Sequence, residues 1–189
     1  MKKRLFIALP LTIRGHVDIN EWVTDKAINE NEISWVKPEN WHLTLHFLGE
    51  TNVSDIPALK RMIDEVCREF SVCEAEMKGM GSFANLKLPK VLWLGFNGVQ
   101  SVISAQKIMA DKLSGLGFVV ETRLFKPHLT VGRIKRLGNV KALNSLLNKY
   151  KNSFFAKVQF DRIVLFESIL TPQGPVYKEI HTAYLTGHL

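Results

Sequence analysis

A His-x-Thr-apolar pattern occurs twice in the 189-residue sequence, once in each half. The first copy is His42-Leu-Thr44-Leu and the second is His128-Leu-Thr130-Val, with the two histidines 86 positions apart. Both copies lie in stretches of strand character, where successive side chains point to opposite faces. We therefore predict that the His and Thr of each copy share one face, while the apolar residues enter the core.

Two imidazoles and two hydroxyls on one surface suit acid–base chemistry on a phosphodiester. Histidine, with an ordinary pKa of about 6.5, can take a proton from water or protonate a leaving oxygen near neutral pH. Threonine hydroxyls can donate hydrogen bonds to non-bridging phosphate oxygens, where charge builds up. A single histidine is a weak signal, but the duplication predicts an enzyme in which His42 and His128 are catalytic and Thr44 and Thr130 bind the phosphate.

Other uses of these residue types find little support. The sequence has no Cys-x-x-Cys pair, and neither His-x-Thr copy contains a carboxylate, so we expect no metal ion and no cofactor. A glycine-rich phosphate loop followed by Lys and Ser or Thr is also absent, which disfavours hydrolysis of nucleoside triphosphates.

The composition is that of a globular protein with an anionic partner. Apolar residues make up 46% and charged residues 23%, and the net charge of +7 favours nucleic acid or a nucleotide. The two cysteines, Cys67 and Cys73, are expected to be reduced, half-buried thiols. The N-terminal apolar run is short and contains Pro10, which predicts a buried strand rather than a secretory signal. No run approaches the roughly 20 residues of a membrane span, so we expect a cytoplasmic protein that does not contact membranes.

The pattern of elements predicts an α+β fold of two pseudo-symmetric lobes. Each lobe would be an antiparallel sheet with helices on its outer face, and the active-site cleft would lie between the lobes. Lys37-Pro38 and Lys126-Pro127 precede the two motifs as a weak internal repeat, and no linker divides the single domain over residues 1–189. The predicted helices cover about 18–31, 54–70, 99–116 and 139–152, and Ser54 is the predicted N-cap of the second helix. The predicted strands cover about 5–9, 33–36, 41–48, 71–80, 91–96, 128–134, 155–160, 163–168 and 177–185. Residues 81–90 are predicted to connect two of these strands.

The two motifs resemble the signatures of the two-histidine (2H) phosphoesterase superfamily. The flanking residues narrow the resemblance to the bacterial and archaeal RNA 2′,3′-cyclic phosphodiesterases, once named 2′-5′ RNA ligases. The matching segments run from residue 4 to residue 133 and read Arg4-Leu-Phe-Ile-Ala, Trp41-His-Leu-Thr-Leu-His-Phe-Leu-Gly, Val91-Leu-Trp-Leu-Gly and Pro127-His-Leu-Thr-Val-Gly-Arg.

The resemblance implies metal-independent hydrolysis of a terminal 2′,3′-cyclic phosphate to a 2′-phosphomonoester, with reversible 2′-5′ ligation in some members. It makes His42 the general acid and His128 the general base, although the pseudo-twofold leaves the two roles nearly interchangeable. It also makes Arg133 a substrate-binding residue. The implied partner is RNA or a nucleotide with a terminal cyclic phosphate, and we expect a monomer.

Strand periodicity argues against that place for Arg133. Period 2 puts Arg133 on the face opposite His128, and only a bulge at Gly132 would turn it into the cleft. The same periodicity predicts a core position for Phe47 and a place on the His42 face for His46, to which we assign no function. The other histidines, His16, His181 and His188, are expected to be solvated.

Two alternative functions remain open. A second branch of the same superfamily would act on a small cyclic nucleotide or on an ADP-ribose cyclic phosphate. A non-catalytic module would instead bind RNA ends, with Trp35, Trp41 and Trp93 available for base stacking.

Overall fold

Ten strands and three α-helices make up the described part of the chain. The structure is a computed structural model that describes residues 1–15, 17, 31–85, 88–172 and 174–187. The strands are β1 (Lys2–Pro10), β2 (Thr12–Arg14), β3 (Glu32–Trp35), β4 (His42–Asn52), β5 (Cys73–Asn85), β6 (Leu88–Asn97), β7 (His128–Arg136), β8 (Phe154–Phe160), β9 (Arg162–Thr171) and β10 (Gly174–Tyr184); the helices are α1 (Ile56–Glu69), α2 (Gln100–Gly115) and α3 (Val140–Tyr150).

The strands form one curled antiparallel sheet in the order β10-β9-β1-β4-β7-β6-β5-β8-β2, with β3 also paired to β7. The α+β class and the antiparallel pairing are therefore confirmed. The two central strands, β4 and β7, carry the two His-x-Thr motifs. These two strands pair at Leu43 and Leu129, so the halves of the sheet meet at equivalent positions of the two motifs.

The two faces of the sheet are packed differently. Along β1, Leu5, Ile7 and Leu9 belong to the main apolar cluster, which also contains the buried residues of all three helices. The alternate residues Phe6 and Ala8 belong to a second cluster on the opposite face, together with Val164 and Phe166 of β9. The helices thus cover one face, as expected, and leave the face of the second cluster available for a site.

The helices bury one stripe each against the sheet. Helix α1 packs on α2, β9 and β10, α2 packs on β4, and α3 packs on β5. The apolar spacing along α1 accounts for its orientation, because residues three and four apart lie on one side of a helix. The buried residues of α1 are Leu59, Met62, Ile63, Val66 and Cys67. Among the described helices, none combines the length and the apolar character needed to cross a membrane.

The three predicted helices in the described residues are confirmed, with one correction at a terminus. Asp55 rather than Ser54 stands at the N-cap of α1, and the Asp55 side chain accepts no capping hydrogen bond from the first turn of the helix. A proline in the first turn explains why the helix begins there, since its fixed φ suits that turn and its missing N–H leaves no donor unpaired. The helix predicted over 18–31 lies almost entirely outside the described residues.

Both cysteines are free, as expected, but they are fully buried rather than half-buried. Cys67 lies on the core side of α1, and its thiol contacts the backbone oxygen of Ala183 at 3.4 Å. Burial raises the pKa of Cys67 to about 12, so this thiol stays protonated and unreactive at neutral pH.

The predicted connection over residues 81–90 is wrong. Strand β5 continues to Asn85 and β6 begins at Leu88, so most of this segment is a hairpin. Gly81, which suggested a turn, instead permits close packing within the sheet. A Cβ at Gly81 would come within 2.3 Å of the Trp93 ring, which lies over this glycine.

A Gly81→Ala substitution should therefore destabilise the protein. The added methyl displaces the Trp93 ring, and overpacking of this kind costs about 1–3 kcal/mol. Gly115→Ala is the matched control, because a Cβ at Gly115 meets nothing within 4 Å. Urea unfolding of both variants measures the difference, and equal free energies of unfolding would contradict the packing role of Gly81.

Candidate active site

The central pair of leucines positions the four residues of the two motifs. Leu43 and Leu129 are 0% and 1% exposed, which fixes the face that each strand presents to the core. In an antiparallel pair centred on these residues, His42 comes opposite Thr130, and Thr44 comes opposite His128. The sequence prediction that these four side chains share one surface agrees with this register.

A bulge in β4 changes the faces of the residues that follow Thr44. Thr44 pairs with Ala8 and His46 pairs with Ile7, so Leu45 is an extra residue in β4. His46 is consequently 5% exposed on the core face, where it hydrogen-bonds to the backbone oxygen of Gln106 in α2. Our predictions that His46 shares the face of His42 and that Phe47 is core are both wrong. Phe47 is 69% exposed and lies next to Phe6 on the site face.

An equivalent bulge in β7 turns Arg133 towards the site. Thr130 pairs with Trp93 and Gly132 pairs with Leu92, so Val131 is the extra residue. Regular alternation predicted that Arg133 lies on the face opposite His128, and this prediction is wrong. The bulge that would turn Arg133 towards His128 is present. Gly132 corresponds to His46 of the first motif, and a Cβ there would meet Ile33 of β3 at 2.9 Å. Strand β3 therefore takes the space that a side chain at position 132 would need.

Backbone oxygens two residues before each histidine set the orientation of both imidazoles. His42 Nδ1 lies 2.8 Å from the oxygen of Asn40, and His128 Nδ1 lies 2.7 Å from the oxygen of Lys126. A carbonyl oxygen can only accept, so Nδ1 carries the hydrogen in both residues. The neutral form of each histidine then has Nε2 as its free acceptor, and the charged form has Nε2–H as its free donor.

Aromatic rings surround the two histidines unequally. Phe6 lies 5.1 Å from the ring of His42, and Tyr177 of β10 contacts His42 edge-on at 5.3 Å and 85°. Among the described residues, His128 has one such neighbour, Phe83 of β5, which is also edge-on at 4.6 Å and 86°. We did not predict from the sequence that Phe6, Phe83 and Tyr177 lie in the site, because only the strand order brings them beside the motifs.

The environment disfavours the charged form of both histidines. Burial is the main cause that lowers the pKa of His42, the hydrogen bond to Asn40 opposes it, and the charges of Arg133 and His128 lower it further. Burial likewise lowers the pKa of His128, against its hydrogen bond to Lys126, and Arg133 adds to the lowering. Both imidazoles therefore lie within the electrostatic reach of Arg133.

Side-chain hydrogen-bond donors without a partner lie at this surface. Within the part of the chain that the structure describes, the side chains of Thr44, Thr130, Tyr177 and Arg133 have no hydrogen bond or ion pair to another residue. Three hydroxyls and a guanidinium with unused donors beside two imidazoles can bind an oxyanion and exchange protons with it. Among the described residues, no group of three or more His, Cys, Asp or Glu side chains is arranged to hold a metal ion.

The described histidine of the last strand, His181, lies apart from this surface. His181 was expected to be solvated, but its Nε2 is 2.7 Å from Asp64 of α1 and its side chain is 22% exposed. It pairs with Leu165, a residue of the main cluster, and so points away from the site. His16 and His188 lie outside the described residues. Of the three tryptophans considered for stacking, Trp41 is buried in the core, and its indole N–H hydrogen-bonds to the oxygen of Val36.

Comparison with known proteins agrees with this geometry. The family model for LigT-like phosphoesterases matches residues 17–93 and 97–177. A protein of Methanocaldococcus jannaschii, named RNA 2′,3′-cyclic phosphodiesterase, is 34% identical over 94% of this chain and 98% of its own length. A protein of the same name from Aquifex aeolicus is 33% identical over 87% of this chain and 94% of its own length.

Solved structures share the fold. The crystal structure of E. coli LigT complexed with 3′-AMP aligns with a TM-score of 0.74 over 98% of this chain and 99% of that one. The sequence identity of that pair is 19%, so this comparison bears on the fold alone.

Replacing Arg133 by methionine should raise the pKa of both His42 and His128, because the substitution removes a positive charge that disfavours the imidazolium forms. Histidine NMR titrations of the wild type and of Arg133→Met measure the shift directly. Arg136→Met is the control, because it removes an equal charge from the same strand. Arg136 lies beside Glu32, at 3.8 Å, rather than beside the histidines. Unchanged titration curves in Arg133→Met would place Arg133 outside the site.

Proposed function

The chain belongs to the family of LigT-like phosphoesterases, and on this basis we propose that it hydrolyses the terminal 2′,3′-cyclic phosphate of RNA to a 2′-phosphomonoester. The observation that carries the proposal is the pair of His-x-Thr motifs about Leu43 and Leu129, with both Nδ1 atoms bonded to backbone oxygens. The names of the two relatives support RNA with a cyclic phosphate as the substrate.

The proposed reaction uses the two histidines on opposite sides of phosphorus. His128, neutral at the start, accepts a proton from water at Nε2 while the water oxygen bonds to phosphorus. The bond from phosphorus to O3′ breaks, and the Nε2–H of His42 protonates that oxygen. Thr44 and Thr130 donate hydrogen bonds to the non-bridging oxygens, where the transition state concentrates charge. A 5′-hydroxyl in place of water would give a 2′-5′ linkage by the same steps.

Substrate charge explains how an acid with a lowered pKa becomes protonated. The free site disfavours imidazolium because of burial and because of Arg133. An anionic cyclic phosphate pairs with Arg133 and brings a negative charge beside His42, and both effects favour the protonated form. Binding of the substrate thus favours protonation of the general acid, His42. The reactive form of the pair carries one proton, which predicts a bell-shaped dependence of rate on pH.

RNA is favoured as the substrate by the surface next to the motifs. Arg133 supplies a guanidinium for phosphate, and the ring of Phe47, which is 69% exposed on the same face, is available to a nucleobase. The net charge of +7 favours a polyanion over a small nucleotide.

We also propose one domain of two intertwined lobes. Strands β9 and β10 come last in the chain, but β9 pairs with β1 of the first half and β10 pairs with β9, so neither lobe is a continuous segment. All residues of the proposed reaction come from a single chain, which fits a monomer. The free cysteines fit a reducing compartment such as the cytoplasm.

Substitution of either histidine should abolish most of the activity. His42→Ala and His128→Ala should each reduce the rate by about 10²–10⁴-fold, the contribution of a general acid or base. The assay uses a short RNA with a 2′,3′-cyclic phosphate, in buffer with EDTA, and resolves 2′- from 3′-phosphate products.

The control for this assay is His181→Gln, which changes a histidine on the opposite face of the sheet. Full activity of either alanine variant would contradict the acid–base assignment. Loss of wild-type activity in EDTA would indicate a required metal ion, and binding without turnover would indicate an end-binding module. Turnover of cyclic mononucleotides alone would point to the second branch of the superfamily.

Removal of the threonine hydroxyls should have a smaller effect. Thr44→Ala and Thr130→Ala should each lower kcat/KM by about 10- to 100-fold, since a hydrogen bond to a charged acceptor contributes about 1.5–3 kcal/mol. Thr44→Ser and Thr130→Ser keep the hydroxyl and should retain most of the activity. Wild-type kcat/KM in the double alanine variant would rule out phosphate binding by these residues.

A further inference from the structure

Tyr177 enters the site from a part of the chain that lies far from both motifs in sequence. It pairs with Ser168 of β9, and its ring packs on the second cluster at the edge of Phe6, 5.0 Å away at 71°. The same ring meets His42 edge-on at 5.3 Å. Strand β10 thus presents a tyrosine to the face that carries the proposed acid.

The hydroxyl of Tyr177 has no structural use in the described part of the chain. The residue is half-buried, yet its hydroxyl has no hydrogen-bond partner there. Its ring alone accounts for the packing against Phe6 and His42. The hydroxyl is not fully buried, so water can solvate it in the free protein and a ligand can reach it.

The surroundings of this hydroxyl suit an anion. Burial raises the pKa of Tyr177, while the charges of Arg133 and Arg4 act on it in the opposite direction. The raised pKa keeps the phenol protonated at neutral pH and therefore able to donate. The influence of two guanidinium groups shows that the phenol lies in a positively charged region, where a phosphate oxygen is the favoured acceptor.

Among the described residues, no ring beside His128 supplies a counterpart to this donor. Phe83 contacts His128 edge-on at 86°, much as Tyr177 contacts His42 edge-on at 85°. The two rings make similar angles with their histidines, but of the two only Tyr177 carries a hydroxyl. The packing requirement is therefore the same on both sides, and the additional oxygen is specific to the His42 side.

We propose that Tyr177 is a substrate-binding residue whose hydroxyl donates a hydrogen bond to a phosphate oxygen of the RNA end, on the His42 side of phosphorus. This inference rests on the proposed function and adds a third hydroxyl donor to those of Thr44 and Thr130. It also distinguishes the two sides of a site that is otherwise nearly symmetric.

The test compares Tyr177→Phe with Tyr184→Phe. The first substitution keeps the ring against His42 and Phe6 and removes only the oxygen. Tyr184 lies on the same strand, seven residues further on, which is about 23 Å in an extended chain. Steady-state kinetics on an RNA with a 2′,3′-cyclic phosphate and calorimetric binding of a ribonucleoside 2′-monophosphate are measured for both variants, together with thermal unfolding.

Tyr177→Phe should lower kcat/KM and weaken binding of the 2′-monophosphate by about 10- to 100-fold, the effect of losing a hydrogen bond to a charged group. Its unfolding temperature should equal that of the wild type, and Tyr184→Phe should match the wild type in kinetics and in nucleotide binding. Wild-type kinetics and binding in Tyr177→Phe would overturn the inference. A loss of kcat with unchanged nucleotide binding and a shifted pH profile would also overturn it, because the hydroxyl would then act by positioning His42.

The two proposals fail in distinguishable ways. A wild-type protein that binds the 2′-monophosphate but does not turn over the RNA contradicts the proposed reaction, while weaker binding by Tyr177→Phe would still support the hydroxyl contact. A wild-type protein that turns over the RNA at the same rate as Tyr177→Phe, with equal nucleotide binding, contradicts only the role of Tyr177.

Discussion

The pairing of Leu43 with Leu129 is the contact on which the site depends. These buried side chains belong to the core, and the backbone pair between them is where the two halves of the sheet meet. Because side chains alternate along a strand, burial of the leucines directs the histidine and threonine on either side of each leucine to the opposite face. A slip of one residue would bury the polar groups and expose the apolar ones. The apolar core thus fixes the chemistry of the surface above it.

Hydrophobic periodicity was sufficient to predict the helices in the described residues, most strands and the common face of the four motif residues. It failed after Leu45 and Val131, since a bulge adds one residue and reverses the faces of those that follow. Phe47 and Arg133 were misplaced for this reason. The extra residues are apolar and buried in both motifs, so their composition does not differ from that of a regular strand. The small residue Gly132 is the one local hint, and its space is occupied by β3.

Long-range pairing accounts for what the sequence could not indicate. Tyr177 and Phe6 meet because β1 and β10 flank β9, an order that no local pattern specifies. The ion pair between His181 and Asp64 has the same origin, since it joins the last strand to a helix of the first half. The motifs by themselves are nearly symmetric, and the unequal features come from strands elsewhere in the chain. The repeated elements supply the reactive groups, and the later strands distinguish one side from the other.

The two bulges determine which residues face the site beyond each threonine. If a bulge straightened with all its residues retained, Phe47 or Arg133 would turn towards the helices, and the preceding His46 or Gly132 would face the site. Loss of Leu45 or Val131 would instead restore regular pairing and leave Phe47 and Arg133 on the site face, because each is the extra residue of its bulge. A single-residue gap at either position in a related sequence therefore indicates a regular strand that presents the same two faces.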